Sequence, residues 1–267
     1  MAKENKSRLA KYLGVSRQLL YYRHRQKLKD WKLKIQIEQV LHDHPSYGHR
    51  RIAIHLKINH KRTRRVMKLF GIKPYRRRSK KFRYIKEIKD NNWSNLLLTN
   101  TPDYPNQIWA SDFTYLCFKG QWIYLATIID LFTREITGFS VLTNHSNQLI
   151  INALLSAVGK HSGPEIIHSD QGSEYASEDY SIICANLGIK QSMSRPGCPW
   201  ENGYQESFYS QFKVDLGDIN RFNGLGELVY EIYQTIYKYN NNRIHTKLKM
   251  SPVSYGRQYL ATCRISV

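Results

Sequence analysis

The chain carries two different hydrophobic rhythms. In the first third, apolar positions recur at helical spacing. Residues 7–24 read as two short helices around Gly14, with Leu9, Leu13, Leu19 and Leu20 inward and Ser16 as the second N-cap. That is the shape of a helix-turn-helix, whose second helix would lie in a major groove, with Arg17, Arg23 and Arg25 on or beside it. Residues 31–43 repeat the pattern through Leu33, Ile37, Val40 and Leu41, and 46–56 and 60–70 form a helical pair. Asn59 suits the N-cap of its last helix and Gly71 the position just beyond its end. From Gln107 the rhythm becomes that of strands: 108–118, 122–131 and 135–142 are rich in β-branched and aromatic residues, and Lys119-Gly120 makes the first turn. A helix over 149–158, a strand over 165–169, a helix over 179–187 and a strand over 189–194 follow. A helix begins near Gly197 and Pro199, and a Tyr-rich one spans 224–239. The order βββαβαβα predicts an α/β domain: a mixed five-stranded sheet, its first three strands an antiparallel meander, with helices on its faces.

Charge divides the chain at the same place. Of the net +20, residues 1–90 hold 28 Lys and Arg against 6 Asp and Glu, a net of +22, and the remainder is at −2. Such a split marks a polyanion-binding module joined to a nearly neutral one. The expected domains are a helical DNA-binding region at 1–90, ending in a basic linker, and a catalytic domain at 105–267 with a helical extension; Asn, Thr and Pro between 91 and 106 mark the boundary. Lys61, Arg62, Arg64, Arg65 and Lys68 crowd one helix with no acid interleaved, so phosphate binding is their expected role. Arg50, Arg51 and the linker residues Arg76, Arg77 and Arg78 join them as candidate DNA contacts.

The four cysteines show neither a CxxC pair nor regular spacing, which argues against a zinc knuckle or a disulfide framework, and His42 and His44 lack a CxxC downstream. The first residues, MAKENKSRLAKYL, are too charged for a signal peptide and no apolar run approaches a membrane span, so a cytoplasmic, nucleoid-associated protein is expected.

The candidate chemistry lies in RPGCPWENGYQESFYSQFK, residues 195–213. On a helix, Asn202, Glu206 and Lys213 stack along one face, while Phe208, Phe212 and Leu216 pack inward. An acid with an amide above and an amine below suits a metal ion met by Glu206 and an anion met by Lys213. Asp170, in EIIHSDQGSEY, precedes Glu206 with 35 residues between, and Asp112 interrupts the apolar run of IWASDFTYL. An acid inside a strand is costly unless paired or metal-bound. Asp130 and Glu201 are the rival acids, but Glu201, five residues before Glu206, points about 140° away.

Asp112, Asp170 and Glu206, with a Lys seven beyond the Glu, resemble the acidic triad of DDE transposases and retroviral integrases. YGHRRIAIHL, WASDFTYL, HSDQGSEY, SRPGCPWENGYQESFYSQFK and YNNNRIHTKLKMSPVSY together resemble the second-reading-frame transposase product of the insertion-sequence-three family. The resemblance implies a ribonuclease H-like integrase catalytic core, Mg2+ (with Mn2+ as a substitute), and cleavage and joining of DNA. It implies that Asp112, Asp170 and Glu206 hold two ions, Asp112 bridging them, with water as nucleophile for nicking and a DNA 3′-hydroxyl for joining. Lys213 stands about 10.5 Å beyond Glu206 on the helix, where it would hold a neighbouring phosphate. His168 and Asn202 are candidate supports for the acids. The expected partners are DNA, further copies of the chain on that DNA, and the family's upstream reading-frame product, in trans or fused. Two other classes stay open: a non-catalytic DNA-binding regulator, and a nuclease that cuts without joining.

Overall fold

The structure, a computed structural model, describes residues 6–18, 26–75, 93–195 and 197–265. Leu19, Leu20, Arg23 and Arg25 of the expected helix-turn-helix, and linker residues Arg76, Arg77 and Arg78, lie outside the described residues. Among the described residues no helix is long and apolar enough to cross a membrane.

Among the described residues, four helices make up the amino-terminal module: α1 (Lys6–Tyr12), α2 (Gln26–Asp43), α3 (His49–His55) and α4 (His60–Leu69). Leu33, Ile37 and Val40 of α2 meet Tyr47, Ile52, Val66 and Met67 in one core. The Asn59 side chain accepts from the Lys61 N–H at 2.8 Å and caps α4, and Gly71 ends it at φ +64°, where a side chain is disfavoured. α2 starts five residues earlier than the helix expected over 31–43. The added turn carries Asp30, which is buried and receives both terminal nitrogens of Arg65 from α4, at 2.8 and 2.5 Å. That bidentate pair holds the Asp30 carboxyl below the usual carboxylate range.

The second module is a five-stranded sheet in the order β3-β2-β1-β4-β5. β1 (Ile108–Phe118), β2 (Gln121–Asp130) and β3 (Ile136–Leu142) form the antiparallel meander; β4 (Ile166–Ser169) and β5 (Lys190–Met193) run parallel to β1. Lys119 and Gly120 both have positive φ, 47° and 83°, as a two-residue hairpin turn that follows the strand twist requires. Strand parity assigns the faces. Ala110, Leu116 and Phe118 pack with α7 (Gly203–Leu216) and α8 (Leu225–Asn241), while Trp109 and Phe113 pack with α5 (Asn147–Val158) and α6 (Glu178–Asn186). α5 lies so close to β3 that a Cβ on Gly138 would stand 2.5 Å from the Ala153 carbonyl oxygen. A last helix, α9 (Pro252–Ile265), sets Tyr255 and Tyr259 around Phe132.

A buried polar bridge joins the two modules. Arg243, just past α8, pairs with Asp215 of α7 and donates to Ser46 Oγ (2.9 Å) and Gln211 Oε1 (2.8 Å). Beside it the Tyr47 hydroxyl accepts from the Ile244 N–H at 2.6 Å, and Arg51 Nε donates to Thr246 at 3.0 Å. Tyr47 and Arg51 of YGHRR, the latter expected to contact DNA, meet Arg243, Ile244 and Thr246 of NNRIHT in this joint.

Candidate active site and the groove beside it

Asp112 sits at the middle of β1, opposite Thr127 of β2, on the face that receives α7. Its Oδ1 accepts the Phe113 N–H at 2.8 Å. Burial and the nearby charges of Asp170 and Glu206 push the carboxyl up to about 7, with Lys213 opposing from the same helix as Glu206. Asp170 follows the last residue of β4, and its Oδ1 accepts the Gly172 N–H at 3.1 Å. A Cβ on Gly172 would lie 3.2 Å from that oxygen, so the glycine of HSDQGSEY lets the loop fold onto the carboxylate. Burial of one side and the charge of Glu174 raise Asp170 above the usual range. Glu174 itself is held by His145 at 2.9 Å. Glu206 is an exposed side chain in the first turn of α7.

A row of polar side chains fastens α7 to β1. Gln205 Nε2 donates to the Ala110 and Thr127 carbonyls at 2.6 and 3.0 Å, Asn202 Nδ2 reaches the Ser111 carbonyl at 3.4 Å, and the Tyr209 hydroxyl donates to the Asp112 carbonyl at 2.6 Å. The Thr127 hydroxyl completes the row, within hydrogen-bond distance of both Gln205 Oε1 (3.0 Å) and the Tyr209 oxygen (2.8 Å). Of the three, Asn202 is a candidate from the sequence, whereas Gln205 and Tyr209 emerge only in the fold. Their signal is a second polar stripe, at i, i+3 and i+7 from Asn202, where a helix against a sheet should be apolar.

The other candidates divide. His168 is fully buried, and burial pushes its imidazole down to about 4. Its Nδ1 meets Ser192 Oγ at 2.9 Å, and that hydroxyl also takes the Leu96 N–H, so His168 ties strands and a turn together. Glu201 is clamped by Arg195 and Asn95, and Asp130 accepts from Phe132, Thr133 and the Thr133 hydroxyl; both rival acids are spent on local structure. Arg51 and Arg65 have partners in Thr246 and Asp30, while Arg50, Lys61, Arg62 and Arg64 are exposed. Lys213 Nζ donates to the Tyr115 carbonyl at 3.2 Å.

The donors around Asp112 suit a hard divalent cation: oxygen ligands only, and carboxylates whose mutual repulsion a cation would relieve. Among the described residues no three His, Cys, Asp or Glu side chains already stand in ligand spacing. Closing these three on an ion takes side-chain rotation, for which exposed Glu206 has room. Two clefts follow the later turns of α7 under the helical module. One of about 540 Å³ touches Lys213 and Tyr115, and one of about 450 Å³ touches Arg50 and His49; Tyr75 lines both.

Comparison with known proteins now bears on this geometry. Residues 102–199 match an integrase core domain family, and 187–252 match a second integrase core domain family. The transposase for insertion sequence element IS904 from Lactococcus lactis subsp. lactis is 35% identical over 228 residues, 81% of this chain and 89% of that protein. The chain belongs to the insertion-sequence transposases with an integrase catalytic core. Transposase InsF for insertion sequence IS3A of Escherichia coli is 39% identical over a shorter stretch, 42% of this chain and 39% of its own length. Among solved structures, the simian T-cell lymphotropic virus intasome in complex with PP2A regulatory subunit B56 gamma matches with a TM-score of 0.53 at 17% identity. That match covers 79% of this chain and 70% of the matched one, and it supports the ribonuclease H-like integrase fold of this transposase.

Proposed function

We infer that this transposase cuts DNA at the ends of its element and joins them to new DNA, with Asp112, Asp170 and Glu206 as the acids at the reacting phosphate. The observation that carries the reading is the fastening of α7 to β1. Gln205 and Tyr209 fix the helix bearing Glu206 to the backbone at Ala110 and Asp112, so the backbones that carry two of the acids keep one relative position. Precise placement of charge is what phosphoryl transfer asks of a protein, because there is little covalent chemistry for it to do.

Asp112, Asp170 and Glu206 would hold magnesium, with manganese as a substitute. Such ions supply a polarised attacking oxygen and charge stabilisation at phosphorus. The chain's own residues do the rest. Lys213 meets a phosphate about two helical turns from Glu206, roughly 10.5 Å away. Arg50, Lys61, Arg62 and Arg64 offer exposed cations to the backbone further out. No side chain has to bond covalently to DNA, since water and then a 3′-hydroxyl act as nucleophiles. Further copies of the chain, and the upstream reading-frame product, are the proposed partners on DNA.

The test is a strand-transfer assay with Mg2+ and labelled element ends taken from the flanking DNA. Wild type should cut and join; Asp112→Asn, Asp170→Asn and Glu206→Gln should do neither while still binding DNA. Asp130→Asn should retain the chemistry wherever it folds. Cutting without joining in the wild type would replace this reading with that of a nuclease, and metal-dependent cleavage in folded Glu206→Gln would refute the triad.

A further inference from the structure

We propose that the cleft between the helical module and α7 receives one unpaired nucleotide of the bound DNA, its base against Tyr75 and Tyr115 and its phosphate toward Lys213. This rests on the transposase reading above and adds to it a contact that reads an unstacked base.

Four observations carry it. The first is size and lining: about 540 Å³, with Pro45 and Tyr75 on one side, Tyr115 and Leu216 on the other, and Lys213 and Asp218 at its polar margins. A space of that volume, lined by polar and apolar groups in about equal measure, has room for a small planar ligand with a charged end. The second is exposure. Tyr75 is 62% and Tyr115 56% exposed, and both residues line the cleft. The Tyr115 ring is set edge-to-face against Trp122, with centroids 5.1 Å apart, which holds its orientation before any ligand arrives. The third is charge. Lys213 Nζ stands 5.5 Å from the Tyr115 ring, bringing a cation to one margin, while Asp218 at another margin is spent on the Asn220 N–H at 3.0 Å. A phosphate is drawn to the lysine and repelled by the aspartate, so the nucleotide has only one favourable way round.

The fourth is continuity with the acids. Tyr115 lies three residues beyond Asp112 on the same strand, about 10 Å at the usual rise. A strand whose reacting phosphate is at Asp112 therefore passes the cleft within about three nucleotides. Tyr75 also lines the neighbouring cleft with Arg50, so the backbone finds a further cation beyond. Paired bases in a duplex show only their edges, whereas an unpaired one offers the π-face that tyrosine stacks on.

The experiment measures binding of the full chain to two fluorescent duplexes of about 30 base pairs, one blunt and one with a single unpaired terminal nucleotide. Wild type should prefer the overhang about tenfold, the scale of one base stacked on an aromatic side chain. An abasic overhang should lose the preference. Tyr75→Ala with Tyr115→Ala should bring the ratio close to one with blunt-duplex affinity kept, and Tyr75→Phe with Tyr115→Phe should restore it. Equal affinity of wild type for both duplexes, as expected if a peptide segment occupies the cleft, overturns the proposal and leaves the transposase reading standing. So does a preference that survives the abasic overhang or the double alanine variant. Failure of wild type to bind either duplex would overturn the transposase reading along with it.

Discussion

The Tyr209 hydroxyl donates to the main-chain carbonyl of Asp112 at 2.6 Å, so a helix residue holds the backbone of the acid rather than its carboxylate. Tyr209→Phe keeps the ring in the core but removes the hydroxyl that bonds that carbonyl, while Thr127 keeps Gln205 as its partner. A buried polar group without its bond costs about 1–3 kcal/mol. We expect a lower melting temperature and a reduced rate of strand transfer, with DNA affinity nearly unchanged. A Tyr209→Phe protein that melts and joins like the wild type would show that α7 is placed by its apolar face alone.

Arg243 and Asp215 give a second prediction. Removing one member of a buried pair leaves the other charge uncompensated, a loss of about 3–5 kcal/mol. Arg243→Ala should therefore lower the melting temperature by several degrees and loosen the helical module from α7. Amide hydrogen exchange should rise first at Tyr47 and Ile244, whose N–H depends on the Tyr47 hydroxyl. Protection unchanged there, in a protein that still folds, would remove the joint from the account.

His245 sits in the same region. Burial, then the charges of Arg134, Arg51, Arg243 and Lys247, push its imidazole down to about 4. Its ordinary value is about 6.5, so as pH falls the unfolded chain takes the proton first. Stability from this residue is complete above about 6.5 and declines toward pH 4, by at most about 1.4 kcal/mol per pH unit. His245→Asn should flatten that part of the stability–pH curve, read by urea melts at pH 7, 6 and 5. An unaltered slope would mean that the imidazole keeps enough water to titrate normally.

Lys213→Ala should weaken binding of a processed DNA end and lower joining, while leaving metal affinity as it is. Lys213→Arg should restore part of the function, because one phosphate needs charge more than shape. Joining measured against DNA-end concentration is the readout, and an alanine curve lying on the wild-type curve would make Lys213 a surface residue.

The arginines of the helical module separate by their partners. Arg62→Gln and Arg64→Gln should each reduce the slope of log affinity against log salt by about 0.9 if each neutralises one phosphate. Arg65→Gln should instead lower thermal stability, since it strips buried Asp30 of its guanidinium. If Arg62→Gln and Arg64→Gln leave the salt slope intact, phosphate binding lies elsewhere on the module.

The sequence alone marked out most of the elements and the three candidate acids. Alternation in β1 and the helical stripe of α7 are local patterns imposed by the period of the backbone, so their faces follow from residue order. Asp112 stood out as an acid breaking an apolar run and Glu206 as one placed on a helix face, while Asp170 was marked by its spacing from Glu206 and by the family resemblance. Charge likewise marked the helical module, though it could not tell Arg65 from Arg64: Asp30, 35 positions away, supplies a partner that no local count contains. The rest depended on tertiary contact. That Gln205 and Tyr209 anchor α7 to β1, that Arg243 reaches Ser46 across 197 positions, and that Tyr75 and Tyr115 share one cleft are facts of chain segments remote in order and adjacent in space. Hydrogen bonds and stacking act over a few ångströms, and only the folded packing decides which distant residues come that close.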